Sequence, residues 1–415
     1  MFGIKKQVFY WTLYDLANSL IIGNLTLYFS QWLIIDNGFA DIWYGSAIAI
    51  STLLLIITAP ILGTRSDKNG KKIGYLIPLS IVMATGTLLL GINGLSGIPT
   101  LPKIVIALML FVVLQYTYQL SLVFYDTLLA NLAPPKDYGK ISGLGEGMGS
   151  LGHVIGLFIT YPFVNGTITL FGIPGRIQAF IPAAIGFILL ALPMLLTLKD
   201  KPVKNDAVRS SSYRDIIGSF KDLLKNKNIL WFLVAFYFIS DVILTISTFF
   251  PIYFEEVLNF SDFQKISATI LILVFIMLGS VTLGKISDKM GFKKMTSLTT
   301  LILLSLFFIF PLIKNQMAVW VLLPIAGFFW GGFYSAARAL LTKLSPEGKR
   351  AEFFSLYAIF RRSASIFGPL IWSFTVLIFS DLGPDKYRVS IYPLIVVMFI
   401  GFIFLSKVDA DGSKN

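Results

Sequence analysis

Residues Gly63 to Lys72 read Gly-Thr-Arg-Ser-Asp-Lys-Asn-Gly-Lys-Lys, a short basic stretch between two long apolar runs. It recurs 221 residues later, from Gly284 to Lys294, as Gly-Lys-Ile-Ser-Asp-Lys-Met-Gly-Phe-Lys-Lys. Ser66, Asp67, Lys68 and Gly70 are carried onto Ser287, Asp288, Lys289 and Gly291. A motif written twice, half a chain apart, marks a duplicated unit. Each copy reads as a loop. Gly63 allows close helix contact, Gly70 permits the tight reversal a short loop needs, and Lys68, Lys71 and Lys72 supply the charge that fixes orientation in a membrane. One acid among so many bases points to a specific partner for Asp67, such as the N-terminus of a neighbouring helix.

The chain around this motif is 56% hydrophobic and 13% charged, with a mean hydropathy of +0.78. Soluble domains carry about 25% charged residues. The composition is that of an all-α integral membrane protein surrounded by a lipid bilayer. The net charge of +12 sits in loops between apolar spans, which argues against nucleic acid as a partner. There is no cysteine and a single histidine, so thiolate and histidine-rich metal sites are excluded, and no cofactor is expected. The first apolar run contains Asp15 and lacks a small-residue cleavage site, so it reads as a span and not as a signal peptide.

A span needs about 20 apolar residues. On that scale twelve stretches qualify: 8–33, 43–62, 73–95, 104–132, 141–164 and 177–198, then 229–254, 266–283, 295–313, 318–342, 353–379 and 389–406. The long hydrophilic segment 199–228 reads as a cytoplasmic linker, so residues 1–198 and 229–415 are the two six-helix halves. With the N-terminus placed in the cytoplasm, 25 Lys and Arg residues fall on the cytoplasmic side and 6 on the other. That asymmetry puts both termini in the cytoplasm.

Charges inside spans are costly and mark function by default. Asp15 lies in span 1, Asp126 in span 4, Asp241 in span 7 and Arg338 in span 10, the first helices of four three-helix units. Each belongs to a polar stripe at helical spacing: Asp15, Asn18, Ser19 and Thr26; Gln115, Gln119 and Asp126; Tyr237, Asp241, Thr245 and Thr248; Tyr334, Arg338 and Thr342. Four such stripes suit a water-accessible path. In span 5, Gly145/Gly149 and Gly152/Gly156 form Gly-x-x-x-Gly pairs suited to close helix packing. Glu146 and His153, one heptad apart, are either a proton relay or, for His153, a buried neutral ring bonded to a neighbouring helix. Arg361 and Arg362 diverge by about 100° on span 11, so one suits a substrate carboxylate or phosphate and the other an acid partner. The intramembrane acids Asp15, Asp126, Glu146 and Asp241 nearly balance Arg338, Arg361 and Arg362, as paired charges require.

The repeated motif resembles the loop between spans 2 and 3 of the major facilitator superfamily, Gly-x-x-x-Asp-(Arg/Lys)-x-Gly-(Arg/Lys)-(Arg/Lys). Gly63, Asp67, Lys68, Gly70, Lys71 and Lys72 match, and Gly284, Asp288, Lys289 and Gly291 repeat it with only Phe292 inserted. Tyr14-Asp-Leu-Ala-Asn18-Ser, Phe124-Tyr125, Ala133-Pro-Pro135, Ala191-Leu-Pro193, Ala351 to Tyr357 and Phe367-Gly-Pro369 look like the branch of autophagy-linked vacuolar amino-acid effluxers and their bacterial relatives. Asp15, Asn18, Asp241, Arg338, Glu352 and Arg362 fall where that branch tends to have the same or a similar residue. The chain departs from it at Ala130-Asn131, where the branch usually has Pro-Asp, and at Glu146 and His153.

The resemblance implies a monomeric secondary transporter, not an enzyme, in a prokaryotic inner membrane. It implies twelve helices working by alternating access, with spans 1, 4, 7 and 10 lining a central cavity. Asp15, Asn18, Gln115, Gln119, Asp126, His153, Asp241, Arg338, Arg361 and Arg362 are the candidate cavity residues. Asp67 and Asp288 are expected to dock at the starts of spans 11 and 5 and to bias the two states. The implied solute is an effluxed amino acid or related metabolite, with the proton favoured over sodium as coupling ion. A sodium-coupled symporter and a lysolipid or lipid flippase on the same fold are the competing readings.

Overall fold

The computed structural model describes residues 6–132, 138–169, 172, 174–200, 223–346 and 350–409. It is all-helical there. The helices are α1 (Lys6–Asn24), α2 (Asp41–Asn69), α3 (Lys72–Leu95), α4 (Thr100–Leu132), α5 (Tyr138–Val164), α6 (Phe180–Thr197), α7 (Lys227–Glu256), α8 (Asp262–Met290), α9 (Phe292–Ile309), α10 (Gln316–Leu344), α11 (Arg350–Ser363), α12 (Phe367–Ile378), α13 (Asp385–Val389) and α14 (Ile391–Ser406). Ten helical stretches among the described residues are long and apolar enough to cross a membrane. Large apolar side chains such as Ile57, Met109, Leu189, Val281 and Val396 are exposed on them, as lipid-facing positions require.

Two expected spans are interrupted. After α1 the helix continues in two π-helical turns, Leu25–Phe29 and Trp32–Asp36. The expected span 353–379 is broken between Ser363 and Phe367. Pro369 explains the break, because it has no N–H for the Ser365 carbonyl and its ring clashes one turn back.

The motif that opened the sequence reading is not a loop. α2 runs on through Gly63 to Asn69, and only Gly70 and Lys71 separate it from α3. Gly70 makes the reversal at φ 65° and Gly291 makes the equivalent one at φ 95°, where L side chains are strained. With 29 residues, α2 is about 43 Å long, longer than a bilayer core of about 30 Å. Its basic end therefore extends beyond the hydrocarbon as helix. Close contact is not the use of Gly63, since a Cβ there would come no nearer than 4.0 Å to Val123. At Gly284 the contact is real, 2.7 Å from the Ser335 hydroxyl.

The acid that caps a helix in this region is Asp200. Its carboxylate accepts from the Ile73 and Gly74 amides at 2.7 and 3.1 Å, at the N-terminus of α3. The side chains of Asp67, Lys68, Glu146 and Glu352, and residues 201–222 of the expected linker, lie outside the described set.

The chain forms two compact units, one of residues 1–39 and 50–213, the other of 40–49 and 214–415. In the first, α1 packs on α5 and α6, and α3 on α4 and α6. Gly152 and Gly156 make the α1–α5 approach possible. A Cβ at Gly152 would stand 2.2 Å from the Leu16 carbonyl oxygen, and one at Gly156 2.9 Å from Leu20 Cα. Thr160 then donates to Asn24 Oδ1 at 2.6 Å across the same seam. In the second unit, α7 packs on α14 and α8 on α10. The first turns of α2 belong to this unit. There buried Asp41 accepts from the Tyr387 hydroxyl at 3.3 Å, and Tyr44 meets Phe249 edge-on.

Candidate functional site

The second unit gathers its polar intramembrane residues around the break between α11 and α12. Asp241, at mid-length in α7, is fully buried. Its Oδ2 accepts from the Gly368 amide at 2.7 Å, so it caps α12, whose own N-cap residue Ile366 supplies no side-chain bond. Thr245 lies one turn on, and its hydroxyl is turned back to the Asp241 carbonyl at 2.6 Å. Gly368 permits this approach, since a Cβ there would stand 2.0 Å from Thr245 Oγ1 and 3.0 Å from the Asp241 carbonyl oxygen. Tyr237 spans the break, with its ring edge-on to Phe360 at the end of α11 and to Phe367 at the start of α12, both at 6.4 Å.

This corrects the reading of the α7 stripe as water-lined. Asp241 and Thr245 face the free amides of a half-helix, which need acceptors more than the stripe needs water. For Asp241 it also corrects the expectation of a guanidinium partner. Asp241 is held by backbone, and its Oδ1 is buried with no hydrogen-bond partner.

Arg361 sits in the last turn of α11 and is exposed, while Arg362 is half-buried, as their divergence on a helix requires. The Arg361 guanidinium lies 5.7 Å from the centroid of the Tyr334 ring on α10. Arg338, one turn after Tyr334, is exposed. Behind them Phe236 packs 4.3 Å from Tyr357 and 6.0 Å from both Phe333 and Tyr334. The sequence named Tyr334 and both arginines but missed Tyr357. The available signal was the repeated Tyr-x-x-x-Arg spacing, Tyr334/Arg338 and Tyr357/Arg361.

In the first unit the polar residues of α1 face α5. Gly149 opposes Asp15 and Ser19, with a Cβ at that glycine 3.2 Å from Asp15 Oδ2 and 3.1 Å from Ser19 Oγ. Asn18 is fully buried, and neither amide atom has a hydrogen-bond partner among the described residues. Trp11 stacks on Tyr125 at 4.5 Å and donates to its carbonyl oxygen at 3.2 Å, and Tyr14 shares a 2.7 Å hydrogen bond with Ser80. His153 pairs through Nδ1 with the Gly149 carbonyl of its own helix at 3.2 Å and packs on Gly23 of α1, so its bond is not to a neighbouring helix. Gln115 and Gln119 are half-buried on α4, and Asp126 is exposed near its end.

Of the motif residues at the helix ends, Lys71, Asp288 and Lys289 are exposed. Lys72 reaches the Thr127 carbonyl at 3.4 Å. In the second copy Lys293 donates to the Ser406 carbonyl at 3.1 Å, so a base ties α9 to the end of α14 where an acid, Asp200, ties α3 to the end of α6.

Known proteins share this fold. The chain is 25% identical to an uncharacterised MFS-type transporter, YxiO of Bacillus subtilis, over 99% of its own length and 96% of that protein's. It is 22% identical to autophagy-related protein 22 of Yarrowia lipolytica over 66% of this chain, spanning about half (51%) of that longer fungal protein. Among solved structures it superposes on a bacterial homologue of the human lysosomal transporter Spinster with a TM-score of 0.77 and 14% identity, covering 96% of this chain and 95% of that one. The D-xylose-proton symporter gives a TM-score of 0.72 with 15% identity, covering 98% and 100%. These structures establish the fold as that of major facilitator transporters. The family described as "Vacuole effluxer Atg22 like" matches residues 134–415, more than half of the chain. The protein is a multi-pass membrane transporter of the major facilitator type, and it belongs to the Atg22-like effluxer family.

Proposed function

We propose that this transporter moves a small solute, an amino acid or a related metabolite, out of a prokaryotic cell by alternating access, coupled to protons. The proposed topology has twelve spans in two halves, residues 1–198 and 229–415, joined by 199–228, with both termini cytoplasmic. The Gly63–Lys72 and Gly284–Lys294 helix ends are the proposed gating elements.

One observation carries the proton coupling: the buried carboxyl of Asp241, with one oxygen on the Gly368 amide and the other without a partner. An ionised carboxylate in that position would leave a charge in a low-dielectric interior with only backbone amides to offset it. A proton on Oδ1 removes the charge and leaves Oδ2 free to keep the cap. The groups facing it are few. Tyr237 lies one turn away on α7, and the amides of Ile366 and Gly368 come from the break. Among the described residues no cation pairs with it. Loading and unloading that proton is thereby tied to the joint between α11 and α12, the place in the second unit best suited to bend.

The test uses the full chain in proteoliposomes with a mixture of radiolabelled amino acids and an internal pH dye. A pH gradient alone should drive accumulation with accompanying proton flux. Asp241→Asn should abolish gradient-driven accumulation while preserving solute exchange. A sodium gradient that drives uptake where a pH gradient fails would reverse the choice of ion.

A further inference from the structure

We propose that Asp41 is a second proton-binding site, a latch that docks the first turns of α2 on α12 and α13 only when its carboxyl carries a proton. The assignment rests on the proton-coupled reading and deepens it, by giving the cycle a site besides Asp241. Gly45 makes the docking possible. A Cβ there would meet the Ser373 hydroxyl and stand 2.8 Å from the Pro369 carbonyl oxygen. At that approach Ser373 donates its hydroxyl to the Asp41 carbonyl at 3.1 Å, and Tyr387 donates to Asp41 Oδ2 at 3.3 Å. Trp372 stacks on Phe249 at 5.0 Å, and Tyr44 meets Phe249 edge-on. Asp41, Tyr44, Trp372, Ser373 and Tyr387 are all buried in this seam.

The carboxyl is poorly matched to a charge. Its Oδ1 is buried with no hydrogen-bond partner, and the neutral phenol of Tyr387 is the one side chain that donates to Oδ2 among the described residues. The cation facing it is Lys386 of α13, whose ammonium lies over the Tyr387 ring, 5.0 Å from its centroid. No salt bridge joins Lys386 to Asp41 among the described residues. Glu256 at the end of α7 faces Tyr387, and Asp385 and Arg388 of α13 pair with each other at 3.0 Å. α12 carries no titratable side chain. Burial without a charged partner disfavours the carboxylate, whereas a hydrated aspartate is ionised at neutral pH. Docking therefore takes up a proton and parting releases one, so the docked seam weakens as pH rises. α2 is unbroken from Asp41 to Asn69. In the proposed rocking of residues 1–198 the seam parts once per cycle, and in the proposed topology it opens to the outside. Closing it again draws a proton from that side, and return without one is opposed.

The test reports the seam through Ser373→Cys, a single thiol in a chain without cysteine. That position lies under Gly45 when the seam is docked, and parting exposes it to a membrane-impermeant maleimide added outside proteoliposomes of the full chain. Labelling rates are compared with and without Asp41→Asn, and their ratio at each pH cancels the titration of the thiol. The Asn side chain is neutral throughout and should stay docked. The rate with Asp41 should match that with Asn at about pH 5 and exceed it at least about tenfold at about pH 8, since one released proton shifts the equilibrium about tenfold per pH unit within its window. Tyr387→Phe keeps the ring and removes the phenol donor, so it should widen that range. Melting temperature and size-exclusion profile check that each variant folds.

A ratio that stays near one, or slow labelling with Asp41 at alkaline pH, overturns the latch. Proton-driven solute flux beside a flat ratio would strike the latch and leave the proposed function standing. A pH-dependent ratio without proton-driven flux would do the reverse.

Discussion

The Arg361 guanidinium lies 5.7 Å from the centre of the Tyr334 ring, an arginine at the end of one half-helix resting on an aromatic of the preceding helix. The contact joins α10 to the segment that breaks three residues later. Phe360, the residue before Arg361, meets the Tyr237 ring edge-on, and that ring meets Phe367 on the other side of the break.

If the ring face and not the hydroxyl seats Arg361, Tyr334→Phe should leave solute affinity nearly unchanged. Tyr334→Leu should lose about 0.5–2 kcal/mol of orienting interaction. Titration of both variants with whichever solute binds the unmodified protein checks this. Equal losses would show that the hydroxyl is what matters.

Asp241→Asn keeps an acceptor for the Gly368 amide, so it should fold with a melting temperature close to that of the unmodified protein. Asp241→Leu removes the cap and should cost about 0.5–2 kcal/mol. Tryptophan fluorescence during heating separates the two. An Asn variant as unstable as the Leu variant would mean that the carboxylate is needed in its ionised form, against a proton resting there.

Gly368→Ala should be destabilising, because its Cβ would meet the Thr245 side chain and the Asp241 carbonyl. Thr245→Ala removes the nearest of those atoms and should rescue part of the loss. The double variant should therefore be more stable than the sum of the single effects predicts, as for residues in direct contact.

Gly152→Ala should separate α1 from α5, since backbone atoms of Leu16 occupy the place its Cβ would need. Gly147→Ala, five residues earlier on the same helix, meets nothing within 4 Å and should be neutral. Melting temperatures and detergent-resistant expression compare them. Equal tolerance would mean that α1 and α5 can move apart without penalty.

The expectations fared differently for physical reasons. The Gly-x-x-x-Gly pairs of span 5 were legible because small residues at helical spacing have one common use, and the structure seats them on α1. The basic motif was legible as a repeat but misread as a loop. Charge density marks where a helix leaves the hydrocarbon, and α2 simply continues past that boundary to Gly70. An acid does sit at a helix N-terminus beside the first copy, but it is Asp200 on the amides of α3, while the docking expected of Asp67 at the start of span 11 falls outside the described residues. Composition does not reveal which carboxylate is carried to which amide.

By itself the sequence determined the all-helical membrane architecture, its internal duplication and most of the spans, because these depend on hydropathy and spacing along one chain. It also singled out Asp241, Arg338 and Arg361, because charge within an apolar span is costly wherever it points. Tertiary structure decided what each does. Asp241 turns to the amide of a helix broken by Pro369, and the Arg361 guanidinium of α11 comes to the Tyr334 ring of α10. Those are relations between residues distant in sequence, set by which helix faces meet.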